Sequence, residues 1–288
     1  MKALILNSGL GHRMGVITKE HPKCMTEISY KDTVLSRQLQ ILASFGIKEV
    51  IITTGYYDKV LVEYCNALHL PLQYTFVNNP LYDKTNYIYS IYCAREYLDD
   101  DILLMHGDLV FESLVMEAVI DSPVGIEFFE HAMAAQPLYK IKKEDWLVWL
   151  ANIEKFCEKG MRKVYAENAF NEVSGQCRIC PCDIQGMLCA EIDTPEDLQT
   201  VSQRVNEVNE RTVYMCFSTE YIHSGHTNII NKARRLGRLI IGILSDEAVS
   251  SFKRYPLIPF EERKTLFENL ASVERVVAYM WCSLSFIT

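Results

Sequence analysis

Short apolar runs alternate, along the first hundred residues, with stretches whose apolar positions recur every three or four residues. Ala3-Leu-Ile-Leu6 is a continuous apolar run, the pattern of a strand buried on both faces. Residues 33–45 place Val34, Leu35, Leu39, Ile41 and Leu42 on one helical face, and Gly46 is a stop signal. Residues 24–28, 49–53, 72–77 and 101–105 read as further strands. Residues 59–68 and 87–97 read as helices, the second with an aromatic face. Strands alternating with helices predict a doubly wound, parallel α/β sheet of Rossmann-like type. In such sheets ligands bind beyond the carboxyl ends of the strands. The segments Asn7-Ser-Gly9-Leu-Gly11 and His106-Gly-Asp108 both fall at such ends.

The first segment continues into His12-Arg13 and, shortly after, Pro22-Lys23. Glycines at 9 and 11 let backbone N–H groups approach a ligand closely. A nest of amides attracts phosphate oxygens, and Arg13 and Lys23 supply the charge that phosphates require. Gly-x-Gly alone would equally mark an ordinary strand-to-helix turn; the added Arg13 and Lys23 favour the phosphate reading. Asp108 ends an apolar strand, where a carboxylate either holds a hard cation or caps the next turn. Residues 188–192 are a further strand that ends at Asp193, followed by Thr194-Pro195 as a helix start. Asp193 has the same two readings, cation ligand or helix cap.

A polar stretch at 205–211 reads as a linker, and a fresh β-α-β pattern follows it. Residues 212–218 form a strand, Ile222-His223-Ser-Gly-His226 opens a helix over 227–236, and residues 238–244 form a second strand.

Composition narrows the function. At 288 residues with 49% apolar content, the chain can bury two cores. A net charge of −8 argues against a nucleic-acid-binding surface. No apolar run approaches the ~20 residues of a membrane span, and no basic segment with an apolar core opens the chain, so a cytoplasmic setting without membrane association is expected. Ten cysteines are scattered rather than framed. The one cluster, Cys177, Cys180 and Cys182, lacks the second pair that a zinc site needs, and reads as small buried or turn residues.

The strand, the Gly9-Leu-Gly11-His-Arg13 loop and Pro22-Lys23 resemble the signature of the sugar-nucleotide-type nucleotidyltransferases, G-x-G-[ST]-R and then P-K. Within that superfamily, residues 1–204 are most similar to the phosphocholine and 2-aminoethylphosphonate cytidylyltransferases, a MobA-like group. His12 departs from the usual Ser or Thr, Asn7 stands where Ala is common, and Cys24 stands where Pro is frequent. The resemblance implies that Asn7, Ser8, Gly9 and Gly11 hold the nucleotide and that Arg13 and Lys23 neutralise its triphosphate. It also implies that Asp108 and Asp193 bind Mg2+, so that Arg13, Lys23, Asp108 and Asp193 form the catalytic set. Asn79-Pro80, Asn86-Tyr87, Ser90, Gln136-Pro-Leu-Tyr139 and Val164-Tyr-Ala-Glu-Asn168 resemble parts of the nucleotide and acceptor pocket. The aromatic rings there could cage an ammonium.

The second segment resembles the H-x-G-H cytidylyltransferases, of the kind that precedes phosphoenolpyruvate mutase in some phosphonate-pathway fusions. His223 and His226 would then contact a triphosphate. Glu220 stands where that family usually has Asp. The family's later R-x-x-G-I-S-[ST] element does not occur by residue 288, which predicts a truncated domain over 212–280 and an unassigned tail at 281–288. In the first domain only Asp121-Ser-Pro-Val124 separates a helix ending near Ile120 from a strand expected at 125–129. Relatives carry further strands and part of the acceptor site there.

Together these features imply a CTP-dependent transferase acting on a small phosphate or phosphonate acceptor. Its partners would be CTP, the acceptor and phosphoenolpyruvate mutase, with no nucleic acid. Two alternatives stay open: a sugar-1-phosphate nucleotidyltransferase, and a nucleotide-binding chain without catalysis.

Overall fold

The computed structural model describes residues 1–122, 136–178, 181–184, 186–271 and 273–280. The chain divides into two compact units, Met1–Val205 and Asn206–Thr288.

The first unit is built on a five-stranded sheet. Its elements run β1 (Lys2–Leu6), α1 (Val34–Ser44), β2 (Glu49–Thr54), α2 (Asp58–Ala67), β3 (Gln73–Asn78), α3 (Tyr87–Ala94) and β4 (Ile102–His106). They continue as β5 (Leu109–Phe111), α4 (Ser113–Asp121), β6 (Leu138–Ile141), α5 (Lys143–Glu158), α6 (Ala166–Asn171), β7 (Cys189–Glu191) and α7 (Pro195–Glu210). The order across the sheet is β3-β2-β1-β4-β6. The first four strands are parallel, and β6 runs antiparallel against β4.

The apolar run at residues 3–5 is fully buried because β1 is central and helices cover both faces. Ala3 and Ile5 pack with Leu35, Leu39 and Leu42 of α1 and with Leu61 and Cys65 of α2. Leu4 and Leu6 face Ile88 and Ile91 of α3 and the indoles and aliphatics of α5. After β1 the chain moves outward through β2 and β3, then crosses back to place β4 on the other side of β1. That reversal opens a crevice between the carboxyl ends of β1 and β4.

Three expectations need correction. Residues 24–28 are not a strand: Lys23–Met25 is a 3-10 turn, and Glu27 makes only an isolated bridge to Thr33. The turn keeps the chain folded back under the loop that follows β1. The expected linker at 205–211 is helical as far as Glu210, where α7 ends. The strand ending before Asp193 does not join the main sheet; it pairs antiparallel with β5 in a two-stranded ribbon, Leu109 opposite Glu191. The strand expected at 125–129 lies outside the described residues.

Helix α5 is absent from the sequence reading, although Trp146, Trp149, Leu150, Ile153, Phe156 and Cys157 repeat at helical spacing. Trp146 is fully buried and donates its indole N–H to the Leu98 carbonyl at 3.0 Å. Trp146→Ala should cost about 3–5 kcal/mol of stability, because it leaves both a cavity and an unpaired carbonyl. Urea unfolding followed by circular dichroism would measure that loss, and a change below 1 kcal/mol would place α5 outside the cooperative core of the unit.

The second unit holds a three-stranded parallel sheet in the order β10-β9-β8. Its elements are β8 (Thr212–Phe217), α8 (Ser224–Ala233), β9 (Arg238–Leu244), α9 (Asp246–Ser250), α10 (Phe260–Glu268) and β10 (Arg275–Tyr279). Phe217, Ile230, Ile241, Ile243, Phe267 and Val276 form its core. Arg263 is buried there, pairs with Asp246 at 2.6 Å and donates to the Ile258 carbonyl at 3.0 Å, while its Nη1 is buried without a partner. No helix of the described residues is long and apolar enough to cross a membrane.

Candidate active site

The loop that leaves β1 is held from its neighbours. The Asn7 amide N–H donates to the carbonyl and hydroxyl of Thr53 on β2, at 3.2 and 3.1 Å. Gly11 adopts φ 66, the left-handed region, where a Cβ would also press on Lys23. Thr18 donates its hydroxyl to the Gly11 carbonyl at 3.0 Å, and Tyr57 reaches across to the carbonyls of Thr18 and Lys19. The Asn7 side-chain amide nitrogen and the Ser8 hydroxyl are buried with no hydrogen-bond partner.

Opposite this loop, the turn between β4 and β5 presents Asp108. Gln38 of α1 supports the turn from below, donating its amide to the carbonyls of His106 and Leu109 at 2.9 and 2.8 Å. A Cβ at Gly107 would lie 1.5 Å from the Asn7 side-chain oxygen, so the β1 loop and the β4 turn touch directly at that glycine.

Lys23 brings the pieces together. Its Nζ lies 2.7 Å from Asp108 Oδ2 and 2.6 Å from Asp193 Oδ1. Arg13 reaches the same Asp193 oxygen at 2.8 Å from a largely solvent-exposed position. Two carboxylates and two cations thus form a neutral quartet drawn from four separate parts of the chain. Neither aspartate caps a helix. The start of α7 is satisfied by Thr194 and Asp197 instead: Asp197 accepts the N–H groups of Asp193 and Thr194, and Thr194 accepts that of Asp197. Asp108 Oδ1 is buried and has no partner.

The quartet borders a cavity of about 320 Å3, a size suited to a small ligand. Asn7, Gly9, Gly11, Arg13, Lys23, Asp108 and Asp193 all line it, with His12 and Cys24. Ser8 is the one first-unit residue of the expected set that does not.

The expected pair in the second unit sits at the N-terminus of α8. His223 Nδ1 accepts the Gly225 N–H at 3.1 Å, and His226 Nδ1 accepts the His223 N–H at 3.4 Å. Burial and the neighbouring His223 lower the pKa of His226.

A further cluster was not anticipated as a unit. His106 Nδ1 lies 3.2 Å from Glu191 Oε1, and the Tyr87 ring packs edge-on against His106 at 4.8 Å. The hydroxyls of Tyr87 and Tyr139 both donate to Glu167. Burial, then Glu167, pushes the Tyr87 phenol well up, and the same causes bring Tyr139 to about 12. The Tyr165 ring lies tilted beside that of Tyr87, with centroids 5.9 Å apart. The hint in the sequence was Glu191-Ile-Asp193: alternate residues leaving a strand point the same way, so one carboxylate near the site foreshadows the other.

In the cysteine cluster, Cys177 is buried and its thiol meets the Asp145 carbonyl at 3.6 Å, and Cys182 packs against the first-unit core. Cys180 lies outside the described residues. Among the described residues the cysteines form no three-ligand group.

A glycine-rich loop at a sheet crossover, with lysine and arginine held by strand-end aspartates, is the arrangement of a nucleotidyltransferase fold. The MobA-like NTP transferase domain matches residues 3–170, and the chain belongs to that family. A second family, described as cytidylyltransferase-like, matches residues 218–286. The chain is 32% identical over 123 residues to CMP-5'-(3-aminopropyl)phosphonate synthase of Streptomyces rubellomurinus, covering 43% of this chain and 19% of that protein. It is 30% identical over 128 residues to CTP:phosphoglutamine cytidylyltransferase of Campylobacter jejuni, covering 42% of this chain and 49% of that protein. The matches therefore span half or less of these curated relatives. Among solved structures, CTP:phosphocholine cytidylyltransferase from Streptococcus pneumoniae shares the fold with a TM-score of 0.57 at 18% identity, covering 71% of this chain and 98% of that one.

Proposed function

We propose that the first unit transfers CMP from CTP to a small phosphate or phosphonate acceptor, releasing pyrophosphate. The observation that carries this reading is Lys23 held between Asp108 and Asp193 beside the Gly9–Gly11 loop. The quartet is neutral by itself. A triphosphate brings several negative charges, so Lys23 and Arg13 gain by turning onto it, and the two carboxylates are then released for a cation.

The buried, unpartnered Asp108 Oδ1 fits a hard cation such as Mg2+, and Asp193 would be its second holder. Bound there, Mg2+ would neutralise charge on the phosphates. The rest is positioning. The loop amides hold the triphosphate, Lys23 and Arg13 offset its charge, and the acceptor oxygen attacks the α-phosphorus in line as pyrophosphate leaves. A phosphate or phosphonate oxygen is already ionised at neutral pH, so the attack needs no base.

The identity of the two relatives and the acidic, tyrosine-lined region of Tyr87, Tyr139 and Glu167 support an acceptor that carries an ammonium group. The test is pyrophosphate release across CTP, UTP and dTTP, with aminoethylphosphonate, phosphocholine and a hexose-1-phosphate as acceptors. Release with CTP and an ammonium-bearing acceptor is expected. Preference for UTP or dTTP with the hexose phosphate would select a sugar nucleotidyltransferase. Tight CTP binding by calorimetry with no release for any pair would select a binding role.

Asp108→Asn keeps the side-chain shape and removes the charge. It should slow turnover at least about 100-fold with the melting temperature little changed, the usual scale for one lost electrostatic contact at a reacting phosphate. Unchanged turnover would take Asp108 out of the mechanism.

A further inference from the structure

Lys23 occupies only one side of Asp108. On the other side stand His106 and Glu191, and one ligating atom from each of the three residues lies within 4.8 Å of the others. Atoms that each sit about 2.0–2.3 Å from one ion must fall within such a distance of one another. We infer that His106, Asp108 and Glu191 form a resident divalent-cation site, which shares Asp108 with the pair Asp108 and Asp193 and is completed by His106 and Glu191 rather than by Asp193, and that it takes a transition ion of the Mn2+ to Zn2+ class in preference to Mg2+. The inference deepens the reading of this site as a nucleotidyltransferase centre.

The three donors are held in place by the fold. His106 ends β4, Asp108 follows in the turn that Gln38 supports, and Glu191 lies on β7 opposite Leu109 in the β5–β7 ribbon. The Ile192 N–H to Asp108 carbonyl bond, at 3.0 Å, ties the ribbon to the turn. The Tyr87 ring fixes one edge of the imidazole. All three side chains are partly withdrawn from solvent, with 21% of His106, 23% of Asp108 and 37% of Glu191 exposed.

The charges call for a cation. Asp108 Oδ1 is buried without a hydrogen-bond partner. Among the described residues no lysine or arginine pairs with Glu191, whose ion-pair partner is His106. A divalent ion among the three donors would satisfy both carboxylates at once and take an imidazole nitrogen as its third ligand. Imidazole is a poor donor for Mg2+, which favours all-oxygen octahedra, and a good one for Fe2+, Ni2+ and Zn2+; Mn2+, drawn chiefly by the two carboxylates, is the paramagnetic probe of the series. Asp193 stands across Lys23 and contributes to neither the cluster nor its charge.

The test titrates the full-length chain with Mn2+ in the absence of nucleotide and acceptor, reading free Mn2+ by electron paramagnetic resonance. One ion should bind, at least about 10-fold more tightly than Mg2+ by competition, and pulsed spectra should show coupling to an imidazole 14N. His106→Gln and Glu191→Gln should each weaken binding at least about 10-fold, since even outer-shell losses cost that much, and His106→Gln should erase the nitrogen coupling. Asp193→Asn should leave Mn2+ affinity within about twofold. Should His106→Gln fail to fold, Glu191→Gln and the wild-type nitrogen coupling decide. Absence of Mn2+ binding, or binding that needs Asp193, ignores Glu191 and shows no nitrogen coupling, overturns the site. The measurement uses neither substrate, so failure of CMP transfer and failure of this site give different results.

Discussion

Purified Lys23→Met is expected to release pyrophosphate at least about 1000-fold more slowly than the wild-type chain, with CTP affinity also reduced. Among the described residues Lys23 is the one cation paired with both aspartates, and it is so from a site only 13% exposed. Methionine keeps most of the stem and removes the ammonium. The charge that would face the triphosphate is lost, and two carboxylates are left confronting each other. Without the ammonium between them they repel each other, which degrades the cation site as well. A single change thus removes a phosphate contact and disorders two others, so the expected loss exceeds that of Asp108→Asn.

The same experiment locates the working unit. His223→Ala and His226→Ala should leave turnover within about twofold, because the neutral quartet, the loop and the cavity all belong to the first unit. Comparable loss from the histidine changes and from Lys23→Met would move the active site to the second unit.

Gly107→Ala should cost nearly all activity together with stability. The added methyl would fall 1.5 Å from Asn7 Oδ1 and 2.9 Å from the Leu6 carbonyl, so the asparagine side chain must swing away and the backbone carbonyl must shift. Asn7 is pinned to Thr53 by its own backbone, and Leu6 is paired within the central strand. Overpacking of this kind costs about 1–3 kcal/mol and is relieved by backbone movement. Here that movement separates the β1 loop from the β4 turn, which are the two supports of the site. Displacement by even 1 Å of groups that must align for in-line transfer slows reaction by about 100-fold. The double variant Gly107→Ala with Asn7→Ala should recover part of the lost melting temperature, since the nearest clash is with the asparagine side chain. A single variant that matches wild type in turnover and melting, or a double variant no more stable than the single, would show that the contact does not govern the site.

Much of this protein was legible along its sequence. Buried central strands read as unbroken apolar runs, so β1, β2 and β4 appear within a residue or two of their observed bounds. The capped amphipathic helix at Val34–Ser44 was equally plain, and Thr33 starts it as its spacing suggests. The glycine-rich loop with Arg13 and Lys23 announced phosphate chemistry because charge and backbone freedom are local properties of those residues. Helix α5 carried a readable period that tryptophans disguised as scattered aromatic content.

Pairing belongs to tertiary structure alone. No local pattern says that Asp108 and Asp193, far apart in the chain, would share one lysine, or that Thr194 and Asp197 would cap α7 and so free Asp193. Only the fold reveals that β7 leaves the main sheet to form a ribbon with β5, which carries Glu191 to His106. The physical reason is range. Propensity, periodicity and turn chemistry act over a few residues, and the sequence carries them openly. Which charges meet across a hundred residues depends on strand order and register, and those are decided when the whole core closes.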